Sequence, residues 1–70
     1  MKLKKWIDGT PPHIYTVVKA VGKSYTLDNL PLKFLQWRIE SVDNHFVENY
    51  KKIQVPENIE VVEVIHIMKE

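Results

Sequence analysis

The sequence predicts an all-β fold, a small barrel of five short strands. Three observations carry that expectation. Val, Ile, Thr and aromatic residues gather in short runs, as they do in strands. Gly, Pro, Asp and Asn punctuate the chain between the runs. The 70 residues suffice for one domain, residues 1–70, and not for two. A chain this small buries only about 60% of its unfolded surface, and closing a barrel protects strand edges that would otherwise invite aggregation.

Residues 1–13 read as a basic N-terminal arm followed by a Pro-rich loop. Gly9, Pro11 and Pro12 suit neither a helix nor a central strand. Ile14 to Val21 is dense in β-branched and aromatic side chains and reads as the first strand. Gly22-Lys23 supplies a tight turn, and Ser24 to Leu27 resumes as a short strand with Tyr25 and Leu27 on one face. Asp28-Asn29 and Pro31 mark the next turn.

Phe34 to Val42 is the third strand candidate. Leu35, Trp37 and Ile39 alternate with Gln36, Arg38 and Glu40, and a bulge near Ser41 returns Val42 to the core. Asp43-Asn44 reads as a turn pair and His45 to Tyr50 as a fourth strand. Lys51 to Asn58, with Pro56, reads as an irregular or 3₁₀ connection. Ile59 to Met68 admits two readings. Val61, Val64, Ile65 and Met68 fall at helical spacing, but the crowd of β-branched residues favours a strand bent near Glu63.

Composition narrows the chemistry. Apolar residues at 44% and charged residues at 27% are globular values, which argues against disorder. There is no Cys, so disulfides and thiolate metal sites are excluded. No apolar run approaches the roughly 20 residues of a membrane span, and the basic start is not followed by a signal-peptide segment. These features lead us to expect a cytoplasmic protein. The net charge of +1 conceals a dipole. Residues 1–35 hold six Lys against Asp8 and Asp28, giving +4, and residues 36–70 hold four basic residues against seven acids, giving −3.

Catalytic signals are sparse. Ser24 and Ser41 lie in no nucleophile motif. Asp43 and His45 are close enough in sequence to make an acid–base pair, but a polar turn explains them more simply. His13, His45 and His66 have no metal-binding spacing. Two glycines cannot build a phosphate loop. No enzyme, metal or cofactor is expected.

Binding surfaces are the better expectation. Trp6 and Tyr15 are aromatic candidates for a protein-binding surface. Glu57, Glu60, Glu63 and Glu70 form an acidic stretch, of which Glu60 and Glu63 read as an edge that meets a partner or blocks self-pairing. Lys2, Lys4, Lys5, Lys19 and Lys23, with Trp6 to stack on a base, form the alternative nucleic-acid surface. Trp37 and Tyr25 read as core.

Two resemblances add to this. Val21-Gly22-Lys23-Ser24-Tyr25-Thr26-Leu27-Asp28-Asn29, with Val42-Asp43-Asn44-His45-Phe46, resembles the small SH3-like proteins of bacteriophages and their Firmicute hosts. That likeness implies an SH3-like barrel and a short accessory protein. Residues 14–29 are also similar to the SH3-like C-terminal domain of retroelement integrases, which implies contact with DNA or neighbouring subunits. The acidic second half departs from that second pattern.

The expectation is therefore a non-enzymatic binding protein, phage- or mobile-element-encoded, acting in the host cytoplasm. It would dock on a host protein and modulate it by occlusion, as a monomer or a homodimer. The alternative is a nucleic-acid-binding module using the basic N-terminal patch.

Overall fold

The structure, a computed structural model, describes residues 1–49 and 58–69. It is mostly β. A short helix, α1 (Leu3–Asp8), precedes four strands: β1 (Ile14–Ala20), β2 (Lys23–Thr26), β3 (Arg38–Phe46) and β4 (Val61–Met68). Two 3₁₀ turns, Leu32–Gln36 and Val47–Asn49, flank β3. The strands form one sheet in the order β2-β1-β4-β3. Neither a fifth strand nor a pairing between β2 and β3 that would close a barrel occurs among the described residues.

The expected arm at 1–13 is partly helical. Leu3, Trp6 and Ile7 share one face at i, i+3, i+4 spacing, and all three pack on the core. The helix ends where Gly9 N–H donates to the Trp6 carbonyl at 3.1 Å and the Thr10 hydroxyl donates to the same oxygen at 3.0 Å. Pro11 and Pro12 prevent its continuation.

The β1–β2 hairpin turns at Val21-Gly22 rather than Gly22-Lys23, because Ala20 and Lys23 are the last paired residues. Both turn residues have positive φ, 47° at Val21 and 78° at Gly22, as a two-residue hairpin of primed type requires. Gly22 accepts this without strain; a β-branched Val at such a φ is an uncommon and strained choice.

The expected third strand and the start of the fourth, His45-Phe46, are one strand, whereas Val47–Asn49 form a 3₁₀ turn and Tyr50 lies outside the described residues. Phe34 and Leu35 belong to the 3₁₀ turn that follows Pro31, and the extended backbone begins at Trp37. The strand then runs straight through Asp43-Asn44, because both residues are paired with β4, opposite Val64 and Glu63. The bulge expected near Ser41 is present, between Ile39 and Ser41. Residues 59–68 resolve in favour of a strand. β4 lies inside the sheet, parallel to β1 and antiparallel to β3. The irregular connection expected over residues 51–58, apart from Asn58, lies outside the described residues, as do Glu57 and Glu70.

Alternation along the inner strands gives the sheet two apolar faces. One carries Val18, Ala20, Ile65 and Ile67, covered by Leu3 of α1 and Phe34 of the 3₁₀ turn. Phe34 sits between Tyr25 and Trp37, at ring-centroid distances of 5.3 and 4.5 Å. The other face carries Val17, Val62 and Val64, with Tyr15 and Val47 against them. The core assignment of Tyr25 and Trp37 holds.

The outer edge of β3 divides in two. At its start, Leu3 N–H donates to the Trp37 carbonyl and Ile39 N–H to the Met1 carbonyl, both at 2.9 Å, so the chain's own first residues cover it. The bulge then shifts the alternation by one residue. Val47 N–H reaches inward to the Glu60 carbonyl, so Phe46, Asn44 and Val42 turn their backbone groups outward. No described strand pairs with that second half.

Candidate functional site

The most distinctive polar residue of the fold is Glu63. It lies on β4 between Val62 and Val64 and is only 6% exposed. Its position reverses the expectation of an acidic edge: β4 has a neighbour on each side, so Glu63 is held in the middle of the sheet. Its side chain points to the helix face, where Oε1 accepts the indole N–H of Trp6 at 2.6 Å. Burying a carboxyl group is costly without such a partner.

Glu63 Oε2 has no partner among the described residues. Across the parallel ladder stands Thr16, in register with Glu63 and on the same face. The Thr16 hydroxyl is buried with no hydrogen-bond partner. Two adjacent polar groups beside α1 thus keep hydrogen-bonding capacity in reserve.

A cleft of about 300 Å³ opens onto this carboxyl group, lined by Met1, Lys5, Trp6, Thr10, Pro11 and Glu63. The helix brings Trp6 to it, the Thr10 bond fixes the chain exit, and the central strand supplies the acid. The cleft offers an apolar wall, an acceptor at its base and one Lys at its side.

The other expected site residues scatter. Tyr15, expected to be exposed, is half-buried on the opposite face against Val17 and Val62. Glu60 is exposed just before β4, its N–H bonded to the His13 carbonyl. Of the four expected protein-binding residues the fold therefore unites two, Trp6 and Glu63. Trp6 is half-buried and its N–H is committed, which makes it a poor free platform for a base.

The six nucleic-acid candidates divide as well. Lys2, Lys4 and Lys5 line a groove of about 320 Å³ with Asp8 and Gln36, where Lys2 donates to Gln36 Oε1 at 3.2 Å. Lys19 and Lys23 line a separate groove of about 360 Å³ with Glu40 and His66. Each groove mixes acid with base, and Lys19 points away from α1 because its neighbour Val18 points toward it.

The expected Asp43–His45 pair is not what forms. Asp43 Oδ2 lies 3.0 Å from His66 Nε2, brought there by the pairing of β3 with β4. This contact joins residues 23 apart in sequence, so local spacing gave no hint of it. Both side chains are substantially exposed, which leaves the pair little energetic weight. Among the described residues no group of three or more His, Cys, Asp or Glu is placed to hold a metal ion. Nor is any helix among them long and apolar enough to cross a membrane. No protein-family model, curated protein or solved structure matches the chain.

Proposed function

We propose that this domain is a non-enzymatic binding module that docks on a protein partner through the Trp6–Glu63 cleft, taking a Lys or Arg side chain of that partner. The observation that carries the reading is the buried Glu63 carboxyl group, set in a central strand, open to a cleft and with one oxygen unpaired. A carboxyl group so placed favours an incoming cation, and the Trp6 indole beside it can pack on the stem or the charged head. Docking there would cover the surface around α1, which is the occlusion mechanism expected of a small accessory protein. The alternative, nucleic-acid binding, has less support because its lysines lie in two grooves, each shared with acidic residues.

The test is an amide- and indole-resolved NMR titration with a capped Gly-Lys-Gly peptide and with the same peptide carrying norleucine in place of Lys. The reading expects the Trp6 indole and Glu63 amide signals to move with the Lys peptide alone. Glu63→Gln keeps an acceptor for Trp6 and should abolish the shifts without unfolding the chain. Shifts that survive in Glu63→Gln, or no shifts at all, would overturn the cleft assignment. A parallel titration with a DNA duplex separates the alternative: salt-sensitive shifts at Lys2, Lys4 and Lys5 would support it.

A further inference from the structure

The half of the β3 edge that no described residue pairs with has a sequence that reads as its own complement. Val42, Asn44 and Phe46 turn their N–H and carbonyl groups outward, and no described strand receives them. Such an edge is a template for another strand. Phe46, at the end of this edge, is 67% exposed. Around Asn44 the order is apolar, acidic, amide, His, apolar: Val42, Asp43, Asn44, His45, Phe46.

We propose that this edge pairs antiparallel with the same edge of a second copy, about a twofold axis through Asn44. The two sheets then join into one continuous sheet. In that register each Asn44 exchanges both backbone hydrogen bonds with Asn44 of the second copy. Val42 faces Phe46 of the second copy and removes its ring from water. Asp43 and His45 lie on the other face of the joined sheet, where Asp43 keeps its contact with His66. An isologous contact of this kind is self-complementary by symmetry, so one favourable pairing occurs twice.

The same register limits itself. Past Phe46 the chain turns into the 3₁₀ segment Val47–Asn49, and before Ser41 the bulge breaks the alternation, so the ladder cannot extend at either end. Nearer the start of β3, Met1 and Leu3 already occupy the edge. The contact is thus confined to Val42 through Phe46. An interface this short belongs with the weak and transient ones, so the dimer should dissociate in the micromolar-to-millimolar range. The inference does not depend on the Trp6–Glu63 cleft.

Sedimentation velocity over a micromolar-to-millimolar series tests it. The expected result is a sedimentation coefficient that climbs toward the dimer value with concentration. Phe46→Asp places a charge on an already exposed side chain and should weaken association at least about tenfold. Asn44→Pro removes one outward N–H and should do the same, with circular dichroism to show that the fold survives. Half-labelled samples should give NMR cross-peaks between Val42 of one copy and Phe46 of the other. A chain that stays monomeric to millimolar concentration would overturn the proposal. So would a dimer that persists in Phe46→Asp, since its contact would lie elsewhere.

Discussion

On the face beneath α1, Leu3 and Phe34 arrive from outside the sheet to cover Val18, Ile65 and Ile67. On the opposite face, Val17, Val62 and Val64 are buried with Tyr15 and Val47 against them. The first face holds large, shape-specific side chains and an aromatic trio; the second is built from small branched ones supplied largely by the strands. The two faces also differ in their polar contacts to β4. Trp6–Glu63 is sheltered by α1, whereas Asp43–His66 stands in water. This small domain thus concentrates its shape-specific packing under the helix. Removing a group should therefore cost far more there.

The largest expected effects come from truncating one buried side chain on each face. Phe34→Ala leaves a cavity under Tyr25 and Trp37 and should cost about 3–5 kcal/mol, enough to unfold a domain of this size. Val62→Ala removes less buried surface and should cost about 2 kcal/mol. Equal costs in urea melts would mean that the faces are equivalent.

Next in size is the sheltered polar contact. Trp6→Phe keeps the ring but withdraws the N–H from Glu63, leaving the carboxyl group without its partner, and should cost about 1–3 kcal/mol. A melting temperature indistinguishable from that of the parent chain would remove Glu63 as an anchor of the helix. The smallest effect belongs to Asp43→Asn, under about 1 kcal/mol, because its contact with His66 is solvated. A larger loss would show that the exposed pair organises the β3–β4 register.

The legible parts of this fold were those whose signal is local. The β-branched run at Ile14–Ala20 announced β1, the one at Val61–Met68 favoured a strand for β4 over the helical spacing it also carries, and the bulge near Ser41 was visible in a slipped alternation. The rest depended on partners distant in sequence. Leu35, Trp37 and Ile39 alternate like a strand, but Phe34 finds a better burial under the helix if the chain tightens into a 3₁₀ turn there. Asp43-Asn44 has turn chemistry, which the ladder with Val64 and Glu63 overrides. α1 was hidden by the lysines and Pro-rich exit around Leu3, Trp6 and Ile7, a short amphipathic set.

For the candidate site, Trp6 and Glu63 were both singled out, but for different surfaces. The missed signal lay in Glu63 itself. An acid enclosed by Val61, Val62, Val64 and Ile65 is out of place on an inner strand unless a donor meets it. That conflict between pattern and chemistry is where a site is to be sought. The link to Trp6 spans 57 residues and could not be read from spacing.

The parallel pairing of β1 with β4 also has a kinetic side. Ile14 meets Val61 and Lys19 meets His66, so the two central strands come from opposite ends of the described chain. The β1–β2 hairpin can form early, but a lone hairpin is marginal in water. β3 pairs only with β4, so a β3–β4 unit can form apart from the hairpin, but neither buries its apolar faces until β4 docks beside β1. The entropy of closing that long loop falls due before most of the core is assembled. This topology should make the domain a slow folder for its length, arriving at its sheet in one late, cooperative step.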